Sequence, residues 1–271
     1  MEPKSITYKT NINSYRQALS LYSHRLRFDL DFRVWGSKQR TKLLGNKFTD
    51  KCVILCNGPS LNSVDFDLLK DSQIFTIGLN KINLMFEKNS FRPNLISCVN
   101  PFVIDQNIDF YLNTDIPVFL DYLGVKKIGK LGVTSKKPNI HFLHSADVTG
   151  QFATNLSGSI CQGYTVTYVA LQIAYHLGFT KVALVGCDHN FASKGTNNST
   201  ITQKVTETNH FIPNYFAPGS QWQLPDLLGS EFHYQIARDV YEINERMIYN
   251  CTEGGKLEIF ERMQIEDFVT Q

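Results

Sequence analysis

Lys51-Cys52-Val53-Ile54-Leu55-Cys56-Asn57-Gly58-Pro59-Ser60-Leu61 is the stretch on which the fold turns. Val53, Ile54 and Leu55 make a short apolar run of the kind buried on both faces of a parallel sheet. Asn57 and Gly58 tolerate unusual backbone angles, Pro59 fixes the next φ, and Ser60 is a helix-capping residue type. The stretch predicts a strand that runs into a tight turn and opens a helix. Such a corner presents backbone N–H groups to an anion. It also serves as a plain structural corner, so both readings stay open at this point.

Working outward, strand patterns alternate with helical ones. Strands are expected over 52–56, 74–79, 95–99, 117–120, 140–143, 182–185 and 248–251, and helices over 61–70, 164–177 and 231–245. The second helix carries Val166, Val169, Ala170, Ile173, Ala174 and Leu177 at helical spacing and stops at Gly178, a common C-cap. This alternation predicts an α/β fold with a mainly parallel sheet over residues 51–271. Residues 192–225 are rich in Asn, Thr, Gly, Pro and aromatics without a period, which predicts a lid or binding segment.

Residues 1–50 differ in character. Between positions 22 and 48, Arg25, Arg27, Arg33, Lys38, Arg40, Lys42 and Lys47 alternate with apolar residues and Trp35. Either two amphipathic segments pack on the main domain with their charges in solvent, or a basic surface meets anionic lipid or a partner subunit. The formal charge of +2 over 271 residues gives no reason to expect nucleic acid as a partner. The longest apolar run, 168–179, is interrupted by Gln172 and His176, and the first residues lack a signal-peptide core. Six cysteines (Cys52, Cys56, Cys98, Cys161, Cys187, Cys251) lie in apolar runs without paired spacing. Buried thiols and a cytoplasmic location, at most peripheral to the inner face of a membrane, are expected.

Ligands of open α/β sheets bind beyond the carboxyl ends of the strands, so the residues ending each strand carry the functional reading. Three successive strands end in Asn57, Asn80 and Asn100, and a later one ends in Asp188-His189-Asn190. An amide side chain donates and accepts at once, which suits a nucleobase, a ribose or a sugar hydroxyl array; it also suits a plain turn. No Gly-rich loop precedes Lys-Ser/Thr and no GxGxxG is present, which argues against a P-loop kinase and a dinucleotide-binding domain. Asp29-Leu30-Asp31 and Asp65-Phe66-Asp67 have the acidic spacing of metal-dependent sugar transferases. Neither follows an apolar strand, and no metal ligand is assigned.

Histidine titrates near neutrality, and His210 and His189 lie in polar, aromatic-rich loop regions that suit acid–base work. His233 is placed at the start of the third helix, and His24, His141, His144 and His176 are read as structural. The helix start near Gly163-Tyr164-Thr165, with Tyr, Ser and Lys side chains, offers groups that can hold phosphate. The segment 252–255, which includes Glu253 and Gly254, forms either a second loop over the same crevice or a plain Gly-Gly turn.

Cys56-Asn57-Gly58-Pro59-Ser60-Leu61, Gly163-Tyr164-Thr165-Val166-Thr167-Tyr168, Leu177-Gly178-Phe179, Val185-Gly186-Cys187-Asp188-His189-Asn190-Phe191 and Asn250-Cys251-Thr252-Glu253-Gly254-Gly255 together resemble the MptE-like family. That family includes archaeal 6-hydroxymethylpterin diphosphokinases and the flagellin-modifying motility accessory factors, and the resemblance covers about residues 50 to 260. The first motif is also similar to the opening of the Campylobacter-type CMP-sialic acid sialyltransferases, which implies a Rossmann-like domain with a lid. By that resemblance Asn57, Gly58, Pro59, Ser60, Asn80 and Asn100 hold the CMP donor, and a turn at Thr165–Thr167 lines it. That turn departs from the Thr-Ser-Gly of the sialyltransferases. The lid would supply a catalytic His and phosphate-binding tyrosines, which puts His210 and Tyr215 forward. Asp188 matches an aspartate after the strand, while His189 and Asn190 replace an apolar residue and a Tyr.

The expected activity is a metal-independent glycosyltransferase without a separate cofactor, taking a nucleotide-activated sugar, CMP-linked first, in bacterial surface glycan assembly. The expected partners are the nucleotide-sugar donor and a glycan or glycolipid acceptor; a homo-oligomer is left open. The alternatives are pyrophosphoryl transfer from ATP to a pterin-like alcohol, with Mg²⁺ near Asp188 and Glu253, and nucleotide binding without catalysis.

Overall fold

A computed structural model describes residues 13–146, 148–190, 196–203, 209–213 and 215–270. The strands are β1 (Lys51–Leu55), β2 (Phe75–Leu79), β3 (Leu95–Cys98), β4 (Val118–Asp121), β5 (Ile140–Ser145), β6 (Ser159–Ile160), β7 (Lys181–Val185), β8 (Thr200–Thr202), β9 (Gln221–Gln223), β10 (Met247–Asn250) and β11 (Glu261–Arg262). The α-helices are α1 (Ser14–Leu30), α2 (Trp35–Leu43), α3 (Phe66–Asp71), α4 (Pro101–Gln106), α5 (Ile108–Asn113), α6 (Tyr122–Lys127), α7 (Leu131–Thr134), α8 (Val166–Leu177), α9 (Leu227–Ile243) and α10 (Ile265–Thr270).

Nine strands form one parallel sheet in the order β11-β10-β7-β1-β2-β3-β4-β5-β6, and β8 pairs with β9 in a separate antiparallel ribbon. The chain builds outward from β1 through β5 and then returns to set β7 on the other side of β1. The gap beyond the carboxyl ends of β1 and β7 is thus the topological switch point, where such sheets bind ligands. All seven expected strands are present, and the α/β fold with a parallel sheet is as expected.

Residues of β1 alternate between two cores. Val53 and Leu55 pack with Leu61, Ile96, Val118 and Phe211 on one face, and Cys52 and Ile54 pack with α8 on the other. Burying an aliphatic side chain of this size stabilises by roughly 1.5–3 kcal/mol, so β1 anchors both layers. Every α8 residue from Thr167 to Leu177 is buried. The polar Gln172 is accommodated because its Oε1 accepts from Ala153 N and Cys161 N while its Nε2 donates to Cys161 O and Tyr168 O. Gly178 closes the helix at φ 104°, a left-handed conformation that glycine adopts without a Cβ penalty. All six cysteines are buried and unbridged.

Two of the expected helices take different bounds. The segment after β1 forms a short 3-10 helix (Pro59–Ser63), and α3 starts separately because the Asp65 carboxylate accepts from Asp67 N and Leu68 N. Ser60 therefore caps no helix. The last long helix begins earlier than expected, at Leu227, because Asp226 caps it through Gly229 N; His233 sits inside it. Asp31 caps the 3-10 turn Phe32–Val34 and is held down to about 2 by Arg33 and by the hydroxyl of Tyr122. Both acidic pairs noted in the sequence thus include a helix cap.

The N-terminal helices are tied to the sheet. Along Ile140–Phe142 the outer edge of β5 is covered by α2: Arg40 donates to Ile140 O at 3.0 Å and Phe142 N donates to Ser37 Oγ at 2.7 Å. This removes an open sheet edge.

Candidate functional site

A cavity of about 950 Å³ lies beyond the carboxyl ends of β1 through β7, roofed by α1 on one side and by Asn209, His210, Phe216 and residues 222–225 on the other. It lies at the high end of the usual range for small-molecule sites. The expected site residues Asn57, Gly58, Asn80, Asn100, Thr165 and Thr167 line it, and so do Asp188, His189 and His210. Pro59, Ser60, Tyr215, Glu253 and Gly254 do not.

The β1 corner is held shut from within. Ser60 Oγ donates to Asp188 Oδ2 at 2.7 Å, and the Ser60 N–H donates to the same oxygen at 3.2 Å. A carboxylate of the chain itself thus takes the place that the corner was expected to offer an external anion. Gly58 has an ordinary φ of −72°, yet a Cβ there would overlap Asp188 Oδ2 and meet Gly186 O at 2.7 Å. Glycine is required at this position by close approach of the β7 loop.

The three asparagines differ. Asn57 is buried, its Nδ2 donates to Leu79 O, and its Oδ1 has no partner. Asn80 is held at φ 48°, its backbone is pinned by Ser97 O and Tyr111 Oη, and its Oδ1 is likewise buried without a partner. A buried acceptor left unpaired costs about 1–3 kcal/mol, and both of these residues line the one cavity. Asn100 is instead satisfied: its Oδ1 caps α4 through Phe102 N, and its Nδ2 donates to Gln223 Oε1 of β9. It ties the β8–β9 ribbon to the sheet.

Around the rim, Tyr164 and His189 also sit at positive φ, 62° and 51°. Such backbone conformations are uncommon outside glycine and cluster at functional sites. The His189 Nε2 lies 3.0 Å from Glu231 Oε1, so a carboxylate orients this ring. His210 stacks on Tyr215 with ring centroids 4.0 Å apart and meets Phe216 edge-on. Tyr215 is itself buried, with its hydroxyl accepting from Lys81 N, so it stands behind His210 and lines no part of the cavity. Thr165 caps α8 through Thr167 N.

The 252–255 loop lies outside the cavity. Gly255 packs on the Asp188 backbone, Lys256 N donates to Asp188 O, and Glu253 and Gly254 are exposed. Of the two readings left open for this loop, a second wall of the crevice gives way to a turn that buttresses Asp188 from behind. Parts of the expected lid, residues 192–195, 204–208 and 214, lie outside the described residues. Among the described residues no three His, Cys, Asp or Glu side chains converge as a metal site.

A second polar region of the cavity was missed in the sequence. Asp121, at the end of β4, accepts from Ser145 Oγ and Gly124 N, both at 2.6 Å, and burial pushes it up to about 6. His144, at the end of β5, is buried with Nε2 unpartnered, and burial, then Arg25, lowers it to about 4. From α1, Arg16, Gln17, Ser20 and His24 face this region. Asp121 follows the strand expected over 117–120 just as Asn80 follows the one expected over 74–79, so the strand-end signal was there to be read.

A parallel sheet with flanking helices and a cavity at its switch point defines the chain as an α/β protein of Rossmann-like fold. A family model described as 6-hydroxymethylpterin diphosphokinase MptE-like matches residues 34–194, and the chain belongs to the MptE-like family. Among solved structures it is similar to that titled "Structure of MAf glycosyltransferase from Magnetospirillum magneticum AMB-1", with a TM-score of 0.50 and 13% identity. The likeness covers 85% of this chain and 37% of that one, and at this identity it shows the fold alone. No curated protein matches.

Proposed function

We propose that the chain is a glycosyltransferase that takes a nucleotide-activated sugar, CMP-linked first, and works without a metal ion in bacterial surface glycan assembly. The observation that carries this reading is the pair of buried, unpaired oxygens, Asn57 Oδ1 and Asn80 Oδ1, beside one cavity. Both need donors. A cytosine amine and ribose hydroxyls supply donors, whereas a phosphate or carboxylate supplies none. The base and ribose would therefore lie over β1 and β2, with the sugar directed toward Asp121 and α1. Transfer deprotonates an acceptor hydroxyl, forms its bond to the anomeric carbon and breaks the bond to the phosphate oxygen, which leaves on the nucleotide. His210, fixed by its stack on Tyr215, is the proposed base, and His189, oriented by Glu231, is the second candidate. Asp188 acts by holding the corner.

The family's description supports a second reading, pyrophosphoryl transfer from ATP to a pterin-like alcohol. That chemistry asks for carboxylates that hold Mg²⁺. Here Asp188 Oδ2 is taken by Ser60, and Glu253 is exposed and absent from the cavity lining. Thermal-shift measurements with CMP, UDP, GDP and ATP, each with Mg²⁺ or with chelator, test the proposal. Stabilisation by CMP in chelator supports it; stabilisation by ATP with Mg²⁺ alone defeats it.

A further inference from the structure

Helix α1 has two unlike faces. At 100° per residue, Tyr15, Leu19, Tyr22, Leu26 and Leu30 fall within an arc of about 80°. Their side chains are 88%, 68%, 65%, 40% and 73% exposed. The cavity-lining Arg16, Gln17, Ser20, Leu21 and His24, with the buried Phe28, occupy the opposite side. Phe32, Trp35 and Leu43 extend the exposed apolar set into the next turn and α2. Isolated exposed apolar residues are ordinary, but a continuous stripe of this length marks a surface that meets something.

The charges around the stripe decide what it meets. Arg27, Lys42 and Lys47 are exposed between α1 and the end of α2 or just beyond it, and the acidic Asp29 and Asp31 are both paired, with Arg25 and Arg33. A second copy packed here would bring like charges together. An anionic bilayer would instead receive the Leu, Tyr, Trp and Phe side chains at its headgroup boundary and the cations at its phosphates. Among the described residues no helix is long and apolar enough to cross a membrane, and lying in the interface plane requires none.

We infer that the outer face of α1, continued by Phe32, Trp35 and Leu43, docks on an anionic membrane surface, which sets the α1 wall of the cavity against the bilayer. This holds whichever group the cavity transfers, because docking needs no substrate.

Vesicle co-sedimentation of the full chain tests it, using phosphatidylcholine with and without about one-third phosphatidylglycerol, at about 0.1 M salt. The protein sediments with the anionic vesicles and stays behind with the neutral ones. Leu19→Glu/Leu26→Glu abolishes binding, and Arg27→Glu/Lys42→Glu weakens it about tenfold or more. Both variants keep the wild-type melting temperature, because these side chains point away from the core. Absent binding to anionic vesicles, equal binding to neutral ones, or binding unaffected by both variants overturns the inference. A wild-type dimer in sedimentation velocity that Leu19→Glu/Leu26→Glu converts to monomer also overturns it and assigns the face to a second copy.

Discussion

Ser60 and Asp188 are joined across the switch point by two hydrogen bonds to one carboxylate oxygen, at 2.7 Å from the hydroxyl and 3.2 Å from the backbone N–H. They belong to the loops after β1 and β7, which are neighbours in the sheet and far apart in sequence. Hydrogen bonds to a charged group contribute about 1.5–3 kcal/mol, so Asp188→Asn lowers stability by roughly that amount and Ser60→Ala by about 1 kcal/mol. The double variant costs less than the sum, because the two side chains share one interaction. Urea unfolding of the four proteins measures this. Strict additivity would show that the corner is held by other contacts.

Gly58 and Gly132 make a matched pair of tests. A Cβ at Gly58 overlaps the Asp188 carboxylate and approaches Gly186 O, whereas a Cβ at Gly132, in α7, has nothing within 4 Å. Gly58→Ala is expected to cost about 1–3 kcal/mol through overpacking and to displace Asp188. Gly132→Ala is expected to gain about 0.5–1 kcal/mol from helix propensity. Melting temperatures that move alike for both variants would contradict the close approach at Gly58.

Stability falls in acid between about pH 6.5 and pH 4. His141 and His144 are lowered from 6.5 to about 4 by burial, and His176 is also lowered by burial. The unfolded chain binds these protons at higher pH than the native state does, so stability is lost as pH falls through the unfolded value toward the folded one. Asp121 works the other way. Its carboxyl is raised from 3.8 to about 6, so the native state gains stability as pH falls through that window. Three histidines outweigh one aspartate, and the net change is a loss. Melting temperature against pH, with His141→Asn/His144→Asn as control, checks this. The substitutions flatten the acid limb, and an unchanged slope would contradict the assignment.

Lys81 clamps the chain at Tyr215. Its Nζ donates to Tyr215 O at 2.8 Å and to Gln106 Oε1 at 2.6 Å, and burial lowers its pKa to about 8. Lys81→Met keeps the apolar stem and deletes both bonds. It should therefore speed proteolytic cleavage within residues 196–225 while the sheet stays intact by circular dichroism. Unchanged cleavage would show that Asn100–Gln223 and Gln106–Gln221 hold the ribbon unaided.

What could be read from the sequence follows how local its cause is. The seven long parallel strands announced themselves because strands buried on both faces need unbroken apolar runs, and α8 because its spacing and Gly178 cap are local. β6, β8, β9 and β11 are only two or three residues long, too short for an alternating or apolar pattern to show. Asn57, Asn80 and Asn100 share one strand-end grammar, yet Asn100 Oδ1 caps α4 through Phe102 N, two residues on, while its Nδ2 bond to Gln223 and the Asn57 bond to Leu79 O depend on neighbours far away in the chain. The same holds for Ser60, whose partner is Asp188, and for α1, whose polar face becomes cavity wall only once α2 covers the edge of β5.

The central claim is that Asn57 and Asn80 receive the donors of a nucleotide. Isothermal titration of CMP into the chelator-treated protein tests it most directly, alongside Asn57→Ala and Asn80→Gly, the latter keeping the left-handed backbone while deleting the amide. The account predicts saturable CMP binding by the wild type, weakened about tenfold or more in each variant. No CMP binding by the wild type, or full affinity in Asn80→Gly, would contradict it.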